Sequence, residues 1–137
     1  KIGLQTSEKI KNTIGSLYKN DNDGMVVNGR DITSGRPRSV AVSSPDVYEC
    51  MKIFADKIAE YSGMVLAKLP AEVSASVGHG GIYLSGGMAK LMGLDDYLSE
   101  KLQMDVYVSD EPQMAVILGG GAAIGNEDIL ETIRVDY

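Results

Sequence analysis

The stretch Gly81-Ile82-Tyr83-Leu84-Ser85-Gly86-Gly87-Met88-Ala89-Lys90-Leu91-Met92-Gly93 constrains this chain more than any other part of it. It reads as a short apolar strand, then two glycines, then a helix that starts after Gly93. A ligand can approach a Gly-Gly backbone closely because no Cβ stands in the way. N–H groups at a following helix N-terminus favour an anion or a polar ligand atom. A plain tight turn has the same local pattern, so the surrounding elements must decide between the two readings.

The chain has 137 residues, about one domain's worth, and 44% are hydrophobic, enough to bury a core. Its net charge of −6 argues against a nucleic-acid partner, whose backbone needs a basic face. Positive charge is concentrated only at Lys9 with Lys11, and at Arg30 with Arg36 and Arg38. The single cysteine, Cys50, permits no intrachain disulfide and fits a reducing cytoplasm. Apolar neighbours at helical spacing predict that Cys50 is a core residue rather than a nucleophile. No run of roughly 18 apolar residues is present to span a bilayer, and no signal peptide is visible. The chain opens at Lys1 in the middle of an element, as a piece of something longer would.

Helical spacing of Ile10, Ile14 and Leu17 predicts a short helix from Thr6 to Ser16, with Thr6 or Ser7 as N-cap. Lys19 to Gly24 reads as a polar turn. Asp21 and Asp23 lack the glycine and terminal glutamate of a calcium loop. Met25–Ile32 and Ser39–Ser43 are β-rich, and the turn chemistry of Thr33-Ser34-Gly35-Arg36-Pro37 joins them as a hairpin. Ser44-Pro45-Asp46 predicts a helix start with Ser44 as N-cap. The apolar series Val47, Met51, Phe54, Ala55, Ile58, Tyr61, Val65, Leu66 and Leu69 then predicts one helix of about 24 residues that ends before Pro70 and buries that stripe.

Ala71–Val77 reads as a short helix broken by Gly78-His79-Gly80-Gly81. His79, the one histidine, has no partner at metal-ligand spacing. After the Gly-Gly loop come a helix from Leu94 to Gln103, a strand from Asp105 to Ser109, a helix from Pro112 to about Gly125, and another from Glu127 to Ile133. Gly119-Gly120-Gly121 implies close helix packing or a helix break. The second half is therefore strand–helix–strand–helix, as in a parallel α/β layer, and the first half is a small helix–hairpin–helix lobe. No Walker A loop, Ser-His-Asp set or metal-binding cluster can be assembled. The residues offer a binding surface and no catalytic centre.

The ordered series Ile2-Gly3, Thr6-Ser7-Glu8-Lys9-Ile10-Lys11, Ile14-Gly15-Ser16 and Gly29-Arg30-Asp31-Ile32-Thr33-Ser34-Gly35-Arg36-Pro37-Arg38 resembles the MreB family of bacterial actin homologues. The likeness continues through Leu69-Pro70-Ala71-Glu72-Val73, the adenosine motif Gly81–Gly87, and Val106–Val116. It covers nearly the whole chain, and the Gly-Arg-Asp…Arg-Pro-Arg hairpin is its most family-specific part. The resemblance implies an α/β fold: the C-terminal portion of an actin-like (ribonuclease H-like) ATPase. Residues 1–69 would resemble the small lobe, subdomain IIB, and 70–137 part of subdomain IIA.

By the same resemblance, the whole protein binds ATP or ADP between its lobes. It is a weak ATPase and polymerises with copies of itself in the cytoplasm at the inner face of the cell membrane. There it guides cell shape with the wall-elongation machinery. Magnesium and the catalytic residues would belong to the missing N-terminal half, and any membrane-binding segment to regions outside this chain. The adenosine side of the cleft falls to Glu8, Lys11 and Asn12 on the lobe-IIB helix and to Gly86, Gly87, Met88 and Ala89 on the loop. A carboxylate can accept hydrogen bonds from ribose hydroxyls, and a lysine stem can pack on adenine. A solvated i,i+3 ion pair is the plain alternative for Glu8 and Lys11. Two further readings of the whole stay open. One is a nucleotide-free interaction domain, with Met88 and Thr13 as its signature. The other is a small-molecule kinase of the same superfamily.

Overall fold

Residues whose apolar side chains alternate form an antiparallel hairpin. Strand β1 (Gly24–Arg30) pairs with β2 (Pro37–Ser43), with Gly24 opposite Ser43 and Arg30 opposite Pro37. Asp31 organises the connection. Its Oδ1 accepts from the Thr33 and Ser34 N–H groups at 3.0 and 2.7 Å, and its Oδ2 meets the Arg38 guanidinium at 3.3 Å. This is the local side-chain-to-backbone bonding that makes Asp a turn residue. The computed structural model describes residues 1–19 and 23–133; the polar turn expected at Lys19–Gly24 lies partly outside them.

Helix α1 (Leu4–Ile14) precedes the hairpin. It begins two residues before the expected start, with Gly3 and not Thr6 or Ser7 at its N-cap. The Ser7 N–H already bonds the Gly3 carbonyl at 3.0 Å, so the first turn closes upstream of the expected caps. Helix α2 (Ser44–Leu66) runs 23 residues, close to the expected length. Its N-cap is Ser43 rather than Ser44: the Asp46 carboxylate accepts from both the N–H and the hydroxyl of Ser43. The Ser44 hydroxyl instead donates to the Ile14 carbonyl at 3.0 Å and ties the end of α1 to the start of α2.

The apolar stripe of α2 is only partly a core. Val47, Tyr48, Ala55 and Ala59 are buried, whereas Phe54, Tyr61, Val65 and Cys50 are exposed. Periodicity marks a face as apolar, but only neighbouring elements can cover it, and among the described residues none covers this side. The buried side joins two clusters. Ile10, Ile14, Val27 and Val47 form one; Leu17, Tyr48, Ala55, Ala59, Leu91, Leu94, Leu98 and Val106 form the other, and Met51 packs against both.

Helix α3 (Ala71–Gly80) continues through Gly78-His79-Gly80 and stops only at Gly81, whose φ of 73° ends it. Strands β3 (Ile82–Leu84) and β4 (Val106–Val108) pair in parallel, as the strand–helix–strand pattern requires, with α4 (Leu94–Leu102) as the crossover. Helix α5 (Ala115–Ile124) runs unbroken through Gly119-Gly120-Gly121, with open space where a Cβ would stand at each, and α6 (Glu127–Ile133) follows. Neither expectation for these three glycines is met within the described residues. No described helix is long and apolar enough to cross a membrane.

Candidate functional site

The chain brings the end of α1 and the Gly-Gly loop to the same place by a short backbone clasp. Ser16 forms a parallel bridge with Met92, and the Leu17 N–H donates to the Met92 carbonyl at 2.9 Å. Ser16 and Leu17 are both buried. The clasp holds α1 against a 3₁₀ turn, Gly87–Lys90, that lies between β3 and α4 and that the sequence pattern did not signal.

Between these parts lies a cavity of about 270 Å³, just below the range of ligand pockets, which run from roughly 300 to 1,000 Å³. From one side α1 and its exit contribute Lys11, Asn12, Thr13 and Gly15; from the other come Gly87, Met88, Lys90 and Gln113. Four of the seven expected site residues, Lys11, Asn12, Gly87 and Met88, therefore line one cavity. Glu8, Gly86 and Ala89 do not line it: Glu8 is exposed one turn back along α1, Gly86 immediately precedes the lining residue Gly87 in the chain, and Ala89 is buried. Glu8 and Lys11 form no ion pair with each other, so the plain i,i+3 alternative does not occupy them.

The loop is built for close approach. Gly86 has φ 85° and ψ 173°, a region essentially reserved for glycine. Its N–H donates to the Pro112 carbonyl, which pins the loop to the segment after β4. At Gly87 a Cβ would meet only the Gln113 side-chain nitrogen, at 3.5 Å. The space above this glycine is thus free for a ligand. Met88 packs against the core cluster around Leu91 and Leu94 while still bordering the cavity. Lys90 and Gln113 were not singled out from sequence. Lys90 follows the loop by three residues, and Gln113 comes from a segment more than twenty residues later; the Lys90 ammonium donates to the Gln113 side-chain amide oxygen Oε1 at 3.3 Å. Among the described residues no three His, Cys, Asp or Glu side chains come together as a metal site.

The profile of the MreB/Mbl protein family matches residues 1–132. The chain belongs to the MreB/Mbl family. It is 34% identical over 130 residues to the cell shape-determining protein Mbl of Bacillus subtilis, covering 94% of this chain and 39% of that protein. With the cell shape-determining protein MreB of Escherichia coli it shares 33% over 124 residues, covering 90% and 36%. The chain thus spans about two-fifths of the length of the curated relatives it matches. Two solved structures superpose on nearly all of it. MreB5 of Spiroplasma citri bound to AMPPNP gives a TM-score of 0.86 at 28% identity, covering 96% of this chain and 39% of that one. The same protein bound to ADP gives 0.87 at 27%, covering 98% and 41%. The fold is accordingly a portion of the actin-like fold of MreB, as the residues resembling that family implied.

Proposed function

We propose that this chain supplies the adenosine-side wall of a nucleotide cleft in a bacterial actin-like protein that controls cell shape. The observation that carries this reading is the cavity shared by Lys11 and Asn12 of α1 with Gly87 and Met88 of the loop. Support comes from the close superposition on an MreB5 that holds AMPPNP or ADP. The chemistry of the lining suits a nucleoside. The Lys11 stem can lie along a base, the Asn12 amide offers both a donor and an acceptor, and Glu8 is near enough along α1 to accept from ribose hydroxyls. Bare backbone at Gly87 admits the sugar and first phosphate without a side chain between them.

In this reading residues 1–69 form the small lobe and 70–137 part of the larger one, with α2 bracing both. Magnesium and the hydrolytic groups lie in the rest of the protein, and this chain's residues bind and orient the nucleotide. ATP then biases self-assembly into filaments in the cytoplasm, at the inner face of the membrane, in concert with the wall-elongation machinery. Sedimentation of the protein at its natural length tests the assembly step. A pellet that depends on ATP and on protein concentration is expected; no pellet in any nucleotide state overturns it.

A further inference from the structure

A second tie, beside the backbone clasp, joins the exit of α1 to the segment that follows the loop. The Tyr18 hydroxyl donates to Asp96 Oδ2 at 2.6 Å, between residues 78 positions apart in the chain. The Tyr18 ring lies on Gly93, the residue just before α4, where a Cβ would stand 3.1 Å from two ring carbons. The Tyr18 N–H donates to the Ser16 hydroxyl at 3.1 Å, and Ser16 is the buried residue that bridges to Met92. Tyr18 therefore grips one partner of the clasp and the first turn of α4 at once. The clasp alone sets how far α1 stands from the loop and leaves α1 free to swivel about it. Contact at a second point removes that freedom. The other tie at this end of α1, from the Ser44 hydroxyl to the Ile14 carbonyl, runs to α2 and not to the loop.

We propose that Tyr18 is a positioning residue of the nucleotide pocket: with Gly93 and Asp96 it sets the angle at which the α1 wall faces the Gly-Gly loop. Tyr18 is not among the residues that line the cavity and acts through Lys11 and Asn12, which are. Both belong to the last turn of α1, and the Gly15 N–H bonds the Lys11 carbonyl at 3.0 Å, so the orientation of the exit passes directly to that wall. Without the tie the protein must order the wall each time a nucleotide binds, which lowers affinity although no ligand contact is removed. The proposal rests on the nucleotide-cleft reading and adds the residue that fixes its geometry.

Calorimetric titration of the protein at its natural length with ATP and ADP tests this, at a temperature where thermal unfolding shows every variant folded. Tyr18 and Asp96 are both exposed, so Tyr18→Phe and Asp96→Ala remove the bond without opening a core. Each is expected to weaken both nucleotides by about fivefold, the factor one net hydrogen bond is worth, and the double variant by no more than either alone. Asp96→Asn keeps an acceptor for the hydroxyl and is expected to restore affinity to within about twofold of the unaltered protein. Tyr97→Phe is the control. It removes a tyrosine–aspartate bond from the same helix, but that bond runs to Asp56 of α2, so it is expected to leave affinity unchanged. Unchanged affinity in Tyr18→Phe and Asp96→Ala overturns the proposal, as do additive losses in the double variant, no rescue by Asp96→Asn, or an equal loss from Tyr97→Phe. If the unaltered protein binds neither nucleotide, the nucleotide-cleft reading falls and this proposal with it. If it binds and only the Tyr18 and Asp96 variants are without effect, this proposal alone falls.

Discussion

Replacing Ser44 by alanine removes the one hydroxyl that completes the end of α1. Ile14 is the last residue of that helix, so its carbonyl has no partner within the helix and depends on Ser44 Oγ at 3.0 Å. Both residues are buried, Ser44 at 1% exposure and Ile14 at 4%. Leaving a buried carbonyl unsatisfied costs about 1–3 kcal/mol. With a denaturant slope of about 2 kcal/mol/M, the urea midpoint of the protein falls by about 0.5–1.5 M. The same change loosens the end of α1 that carries Lys11 and Asn12, so nucleotide affinity falls along with stability. Equilibrium urea unfolding of the two proteins, followed by circular dichroism, reads the first effect. A midpoint within about 0.2 M of the unaltered protein, at the same slope, refutes the argument that this bond fixes α1 to α2.

Three further outcomes follow from the same geometry. Gly86→Ala strains a backbone at φ 85° and costs about 1–3 kcal/mol, whereas Gly87→Ala meets only an ordinary contact and leaves the thermal unfolding of the protein nearly unchanged; equal losses from both refute the assignment of strain to Gly86. Asp56 accepts hydrogen bonds from Tyr97, Lys52 and Lys101, which hold its carboxyl below the usual range. Its contribution is therefore full above the ordinary carboxylate pKa and lost as pH falls through the depressed value, so Tyr97→Phe moves acid unfolding to higher pH, and an unmoved acid transition contradicts this. Finally, Val116, Ile117, Leu118 and Ile124 of α5 are 81%, 67%, 56% and 78% exposed, and Tyr61 and Val65 of α2 are exposed too. The 137-residue chain by itself is expected to self-associate with concentration in light scattering, as exposed apolar patches do; a sharp monomer at high concentration refutes it.

Local chemistry made most of the elements legible. The Pro45 and Asp46 helix start, the turn residues between β1 and β2, and the apolar run before Gly86 each act over a few residues, so their pattern stands in the sequence itself. Adjacent serines did not separate: Ser43 and Ser44 are equivalent as caps until the Ile14 carbonyl, thirty residues away, claims one of them. Burial of Cys50 and Phe54 was misread because spacing identifies an apolar stripe without saying what lies opposite it. The site was half legible. Glycines announce bare backbone, and family resemblance pointed to Lys11 and Asn12. Lys90 and Gln113 carry no local signal, because only the Pro112 bond to Gly86 brings the segment after β4 over the loop.

Titrating the protein at its natural length with ATP and with ADP in a calorimeter, alongside Gly87→Val, tests the central claim most directly. The variant adds its side chain at the bare backbone between α1 and the loop, where the only contact in the protein is the Gln113 amide at 3.5 Å. Saturable binding by the unaltered protein that the folded variant abolishes is the predicted result. Absence of binding to the unaltered protein, or equal affinity in the variant, contradicts the account.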